Sequence, residues 1–393
     1  MKRIIPLLLI LASVLSMGSI SFAENKGKNA AEENPFYSQV NVDIPEVGGA
    51  YLCEAKTGKV IFAKDEFSAA SPASVTKVMT LLLVMEALEA GKFSLSDNVR
   101  ISARAASMGG SQVFLEEGEK ITVEDLIKST VIASGNDASV ALAELTAGSE
   151  SSFVKMMNQK ALELGLKNTS FENCTGLDDT TTNHYSCSAD IATLSRELIK
   201  HELILKYSSI WQDSIRGGEF ILTNTNRLVR YYDGCNGLKT GSTDKAGFCV
   251  TTTAKRGNMQ LIAVIMGAKT KEDRNEAART LLDYGFANYT LFERNEEYLE
   301  NAKVLGGVKD SIPLYSKSFS SLTDKSTVSK IELVYDIPEV LNAPIKEGET
   351  LGNIIFMLGE EQIGRCDIVA GEGVEKITLG EIFIRILKRI SCG

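Results

Sequence analysis

The stretch that most constrains this chain runs from Ser71-Pro72-Ala73-Ser74-Val75-Thr76-Lys77 into the apolar segment 78–90. That segment is nearly all Met, Leu, Val, Ala and Thr, without Gly or Pro, so it predicts a helix buried on most of its circumference. Ser74 stands at its start. Positions three apart share a helix face, so Ser74 and Lys77 are expected side by side, a hydroxyl and an amine at the positive end of the helix dipole. Burial penalises a charged lysine, and a fall in its pKa from about 10.4 toward 7 corresponds to roughly 4–5 kcal/mol. A lysine tuned in this way can take a serine proton. The same spacing also suits a capping serine followed by a lysine that reaches the surface, so this pair alone leaves both readings open.

With 393 residues the chain has room for two or more domains, and a hydrophobic content of 44% is that of globular protein. A formal net charge of −9 without a clustered basic face excludes a nucleic-acid partner. Lys2 and Arg3, an apolar stretch over 4–15 and small residues ending Ser21-Phe22-Ala23 predict a signal peptide over 1–23. An uncleaved N-terminal anchor is the other reading. Either way the chain is expected to be exported and to work at the outer face of the cytoplasmic membrane or in the cell wall. The seven cysteines form no C-x-x-C pair and are odd in number, so most read as small buried apolar residues. Cys174 with Cys187 is the one pair worth testing for a disulfide. Neither the cysteine spacings nor the two histidines make a metal site.

Residues 24–35 are polar and charged and read as a flexible leader. A hairpin is expected from the runs 48–53 and 59–63 around Ala55-Lys56-Thr57-Gly58. Thr122-Val123-Glu124-Asp125 resembles a capping box that opens a helix ending at Ser134-Gly135-Asn136. Helical runs at 138–145, 150–164 and 189–199 predict a helical subdomain. After residue 220 the pattern turns to antiparallel strands, then to a helix from 271 to about 289. Residues 36–294 thus read as one α+β domain, an antiparallel sheet with a helical subdomain. Short strand-like runs separated by Gly, Asp, Asn and Pro make 295–377 a small all-β sandwich. In 378–393, Leu379, Ile382, Phe383, Ile386, Leu387 and Ile390 share one helical face and Arg385, Lys388 and Arg389 the other. That tail is too short to span a bilayer and has the split of an interfacial membrane helix. A terminal helix packed on its own domain has the same pattern.

Two further motifs raise the weight on Ser74. Ser134-Gly135-Asn136 can present a hydroxyl and a carboxamide into a cleft, and Lys239-Thr240-Gly241 lies on a strand where Gly lets a ligand backbone come close. The order S-x-x-K, S-x-N, K-T-G is that of the penicillin-recognising serine enzymes, with Gly135 where that set has Asp. The wider segments around these motifs, with Gly165-Leu166-Lys167-Asn168-Thr169-Ser170-Phe171 and Gly237-Leu238, resemble the serine-type D-alanyl-D-alanine carboxypeptidases, the low-molecular-mass penicillin-binding proteins. The likeness covers about residues 45–290, and the β domain with its amphipathic tail resembles the family layout. It implies the penicillin-binding/β-lactamase-like serine transpeptidase fold and a chain that trims the terminal D-alanine from peptidoglycan pentapeptide stems.

Residue by residue, the resemblance implies Ser74 as nucleophile, Lys77 as its base and Ser134 as a proton relay. Asn136 is implied to hold the substrate amide, Lys239 to supply positive charge near the terminal carboxylate and Thr240 to donate a hydrogen bond to it, with Gly241 and Ser242 also among the substrate-binding residues. Backbone N–H groups of Ser74 and Ser242 are implied as the oxyanion hole. No cofactor or metal is implied, and β-lactams are implied as covalent inhibitors. Ser242 after K-T-G and Cys235-Asn236 before Gly237 depart from the usual family pattern, which bears on specificity and deacylation. A serine β-lactamase shares the three motifs but uses a glutamate in E-x-x-L-N, for which Glu163-Leu164-Gly165-Leu166-Lys167 offers Lys in place of Asn. A Ser-His-Asp triad has only His184, read as structural, and His201, read as a solvated position in a helical run. A non-catalytic wall-binding protein would be expected to have lost Ser74, Lys77 or Lys239, and all three are present.

Overall fold

A computed structural model of the protein describes residues 41–391. The expected signal peptide and leader, 1–35, lie outside the described residues. The first domain is built on a five-stranded antiparallel sheet in the order Val60–Lys64, Gly49–Glu54, Met259–Ala268, Gly247–Arg256, Cys235–Thr243. The expected hairpin forms its outer edge, and the chain returns from far downstream to supply the other three strands.

Alternate residues of a strand point to opposite faces, and the central strand Met259–Ala268 is apolar on both. Ile262, Val264 and Met266 face the core of the helical subdomain. Leu261, Ala263 and Ile265 face Ala277, Ala278, Leu281 and Leu282 of the helix Lys271–Asn288. The uninterrupted apolar run Leu261-Ile262-Ala263-Val264-Ile265-Met266 is therefore the mark of a sheet covered on both sides. In the helical layer, the helix Lys77–Glu89 is buried at nearly every position, as its composition predicts. Around it pack the helices Val123–Val131, Asn136–Ala147, Glu150–Glu163 and Ser188–Leu198. Several helices open on a hydroxyl that accepts a free backbone N–H: Thr122 from Asp125, Ser149 from Ser152 and Thr270 from Asp273.

Two expectations are corrected. His201 does not sit on a solvated helix face; it precedes the helix Glu202–Ser208, and its ring is tucked 2.6 Å from the Glu89 carboxylate. Cys174 and Cys187 are not joined: both are free and buried, Cys174 facing Glu150 and Cys187 accepting the Asp190 N–H. Burial raises the pKa of every cysteine thiol among the described residues, those of Cys53 and Cys187 to about 12.

The second domain carries a six-stranded sheet and a two-stranded ladder, in which Tyr289–Arg294 pairs with Phe319–Asp324. That ladder begins ahead of residue 295. Its core centres on Phe356, stacked on Phe319 with ring centroids 4.1 Å apart, over Ile312, Leu314, Ile354 and Ile368. Lys59 donates to the Leu322 carbonyl and Lys56 pairs with Glu293, so the hairpin of the first domain braces the second. The helix Leu379–Ser391 follows. It leaves Leu379, Phe383, Ile386 and Ile390 exposed, while Arg385 pairs with Asp310 and donates to the Val308 carbonyl. No helix among the described residues is long and apolar enough to cross a membrane.

The Phe319–Phe356 stack generates a direct test. Phe356→Ala is expected to destabilise the second domain by about 3–5 kcal/mol, read as a lower urea midpoint of the full chain. An unchanged midpoint would place the ring outside the core.

Candidate active site

Ser74 lies not in the first turn of the long helix but in a short 3-10 turn, Ala73–Thr76, that feeds it. Ala73 takes a positive φ of 45°, which turns the chain sharply just before the hydroxyl. The loop through Gly176 packs beneath this turn. A Cβ at Gly176 would stand 1.7 Å from the Ala73 carbonyl oxygen, so no other residue fits. Asn173 holds that loop in shape by accepting from the N–H groups of Thr175 and Gly176, and the loop presents the Thr175 carbonyl to the inside.

Lys77 is fully buried, with Nζ 2.8 Å from Ser74 Oγ, 2.7 Å from Asn136 Oδ1 and 2.7 Å from the Thr175 carbonyl oxygen. Burial pushes its pKa down to about 7, against a smaller upward pull from Cys174 and Asp137. The partner set suits the neutral amine. Its two N–H bonds go to the two acceptor-only oxygens, and its lone pair is left for the Ser74 hydroxyl proton. The amide of Asn136 is held at both ends, its Nδ2 donating to the Gly109 carbonyl.

In Ser134-Gly135-Asn136 the structure differs from the expected tight Gly turn. The left-handed residue is Ser134, with φ 64°, and Gly135 has a negative φ. Gly135 is small for a different reason: a Cβ there would press on Asp137 Oδ1 at 2.9 Å. Asn136 opens the next helix, and the buried Asp137 accepts from the N–H groups of Val113 and Leu115, which pins the loop across the cleft. Ser134 Oγ then meets Lys239, whose Nζ is 2.9 Å away and also donates to the Thr240 carbonyl. Burial, with the charges of Lys77 and Arg274 adding to it, holds Lys239 well below the ordinary lysine range.

The strand Cys235–Thr243 forms the opposite wall. Gly241 passes so close to the Ser74 turn that a Cβ would lie 2.8 Å from the Ser74 nitrogen, which makes Gly obligatory between Thr240 and Ser242. Asp178 ties the two sides together, its Oδ2 accepting from Ser71 Oγ at 2.8 Å and from Thr243 Oγ1 at 2.6 Å. Thr240 donates to Thr225. Between these walls is a cleft of about 280 Å³ onto which Ser74, Ser134, Thr240, Gly241 and Ser242 open. Lys77, Asn136 and Lys239 lie beneath its floor. The structure thus brings all eight residues singled out in the sequence to one place.

Sequence reasoning missed several neighbours. Arg227, Lys271 and Arg274 line the cleft, and no carboxylate is among its described lining residues. Arg274 is mostly buried, and burial lowers its pKa to about 10, so it stays charged at neutral pH. These cations come from a short helix and a long one remote in sequence, and no local motif marks them. Thr175 and Asp178 were equally silent. His184 is buried at the back of the Ser74 turn: it accepts the Glu172 N–H at Nδ1, so Nε2 carries the proton and donates to Thr76 Oγ1. Burial lowers its pKa to about 4, and it does not face the cleft. Glu163 ends its helix on a separate surface hollow, paired with Lys160.

Residues 39–270 match a family model described as D-alanyl-D-alanine carboxypeptidase, and residues 286–376 match that of the penicillin-binding protein 5 C-terminal domain. The chain is 42% identical to the D-alanyl-D-alanine carboxypeptidase DacF of Bacillus subtilis, over 99% of this chain and 98% of that one. Among solved structures, penicillin binding protein 5 from Haemophilus influenzae is similar with a TM-score of 0.74 at 30% identity, over 86% of this chain and 100% of that one. Penicillin-Binding Protein D2 from Listeria monocytogenes, in the ampicillin-bound form, gives a TM-score of 0.58 at 29% identity, over 63% of this chain and 100% of that one.

The burial of Lys77 is directly measurable. With ¹³C-labelled lysine, its ε-methylene resonance is expected to titrate near pH 7, while exposed lysines titrate above about 10. A midpoint in the exposed range would show that the amine keeps its charge.

Proposed function

Because the chain belongs to the D-alanyl-D-alanine carboxypeptidase family, we propose that it removes the terminal D-alanine from peptidoglycan stem pentapeptides through an acyl-Ser74 intermediate. The observation that carries this function is the buried Lys77 amine 2.8 Å from the Ser74 hydroxyl, its pKa pushed by burial down to about 7 so that its neutral, proton-accepting form is within reach. As Ser74 Oγ attacks the carbonyl carbon of the penultimate D-alanine, its proton passes to Lys77 Nζ. Backbone N–H groups of Ser74 and Ser242 take the developing oxyanion. Ser134 relays to the departing D-alanine nitrogen the proton that Lys77 took from Ser74, while Lys239, bonded to Ser134 Oγ, holds that hydroxyl in place. The C–N bond breaks, D-alanine leaves, and water cleaves the ester to regenerate Ser74.

The terminal carboxylate is the reason for the cationic walls. Arg227, Arg274 and Lys271 lie around the cleft, and an arriving carboxylate supplies a counter-charge to buried Lys239, raising its proton affinity and favouring its charged form beside the bound carboxylate. Thr240 gives the carboxylate a hydroxyl. Asn136, held between Lys77 and Gly109, keeps the amine aimed at Ser74 and lies where the substrate amide passes. A β-lactam would be attacked in the same way. Without a carboxylate in the cleft to activate water, its acyl-enzyme would persist, which weighs against a β-lactamase.

The sequence further supports an exported chain with a signal peptide over 1–23, a catalytic domain over 36–294, a β domain over 295–377 and a tail over 378–393. The exposed apolar residues of the tail helix support attachment to the outer membrane face.

Ser74→Ala is expected to abolish both D-alanine release and covalent β-lactam labelling; persistence of either would move the nucleophile elsewhere. Lys77→Ala should slow acylation by about 10²–10⁴ without unfolding the protein. Because the folded-state pKa of Lys77 lies below its usual value, the neutral base accumulates as pH rises. The acylation rate of the wild type is thus expected to climb through about pH 7, and a flat profile from pH 5 to 9 would remove Lys77 as the base. Deleting residues 379–393 should release the protein from membranes while leaving turnover of a soluble peptide intact, and unchanged sedimentation would refute the anchor.

A further inference from the structure

The second domain has a cavity of its own, about 460 Å³, which the carboxypeptidase chemistry does not use. It opens beside the bulge in the strand Glu297–Leu305, where pairing with Ser311–Ser316 slips between Tyr298 and Asn301. Buried Leu314 and Ile368 form its floor. Tyr298 and Tyr335 stand at its sides, each about half exposed although each is a large ring with an apolar face. Tyr298 is held upright by an edge-to-face contact with Tyr315 at 5.8 Å. Arg294 crosses the base, paired with Glu297 and 3.5 Å from the Tyr335 hydroxyl, while its buried Nε finds no hydrogen-bond partner among the described residues.

We infer that this cavity binds the glycan strand of peptidoglycan, taking a short run of β-1,4-linked N-acetylated amino sugars. The inference rests on the peptidoglycan substrate proposed for the Ser74 cleft. Its lining sets one cation, Arg294, already paired with Glu297, against two carboxylates, Glu297 and Glu300. Such a rim repels an acidic peptide and suits a neutral polyhydroxylated ligand. Flat tyrosine faces match the C–H face of a pyranose ring, and the carboxylates and guanidinium offer acceptors and donors to hydroxyl and acetamido groups. The volume is that of an ordinary small-ligand site. Holding the glycan on the second domain raises the local concentration of its stem peptides at the catalytic domain.

The test titrates the full chain with the tetramer of N-acetylglucosamine. Saturable binding is expected, weakened about tenfold by Tyr298→Ala and by Tyr335→Ala, both exposed positions that leave the core intact. D-alanine release from a free pentapeptide should be unchanged in these variants, while KM on a glycan-linked pentapeptide rises by a similar factor. Ser74→Ala should bind the tetramer as the wild type does, so a failure of the catalytic proposal and a failure of this one are seen separately. Absence of saturable binding by the wild type, or binding untouched by both tyrosine substitutions, would overturn the site. So would a sugar-free stem peptide that binds there and is lost in the tyrosine variants, since that would assign the cavity to peptide.

Discussion

The structure depends on keeping one lysine out of water without a counter-ion. Among the described residues Lys77 has no carboxylate partner; its amine meets a hydroxyl, a side-chain amide and a backbone carbonyl. Such a site favours the neutral amine only while water is excluded, and much of the first domain serves that exclusion. The Lys77–Glu89 helix is buried all round, the loop at Gly176 seals the underside of the Ser74 turn, and Thr80 ties that loop to the helix by donating to the Cys174 carbonyl. Loosening any of these would let solvent in and return the amine to its charged, inert form.

The second lysine is handled in the opposite sense. Lys239 is as deeply buried, but its neighbours Lys77 and Arg274 add repulsion to desolvation. What it lacks among the described residues is an anion, and the described lining of the cleft gathers cations around a space with no negative charge on its walls. The two amines start from similar burial and are pushed to different tasks by what stands next to them, Ser74 and Asn136 in one case, Ser134 and the cationic wall of the cleft in the other.

The parts of this arrangement written in contiguous residues were legible in the sequence. The Ser74–Lys77 pairing, the lowered lysine pKa and the doubly covered strand Met259–Ala268 all follow from local spacing and apolar runs. What escaped depends on chain segments meeting at a distance. Arg227, Arg274 and Asp178 enter the site through the sheet and loop topology, and no neighbouring residue announces them. The backbone at Ala73 and Ser134 escaped for another reason: positive φ is expected at glycine, and here the glycine of Ser134-Gly135-Asn136 serves close packing while the serine takes the strained conformation. His201 was misplaced because the break between Leu198 and Glu202 carries no Gly or Pro to mark it.

The thiols have a chemical consequence of their own. Each of the cysteines among the described residues is free, and each has its proton held more tightly than in water because burial disfavours the thiolate. The thiolate is the nucleophile that attacks peroxides and disulfides, so holding the proton slows both reactions. The fold of the described residues thus forms without an oxidase or a disulfide isomerase, and its stability is decoupled from redox conditions, so oxidising and reducing surroundings present it with the same folding problem.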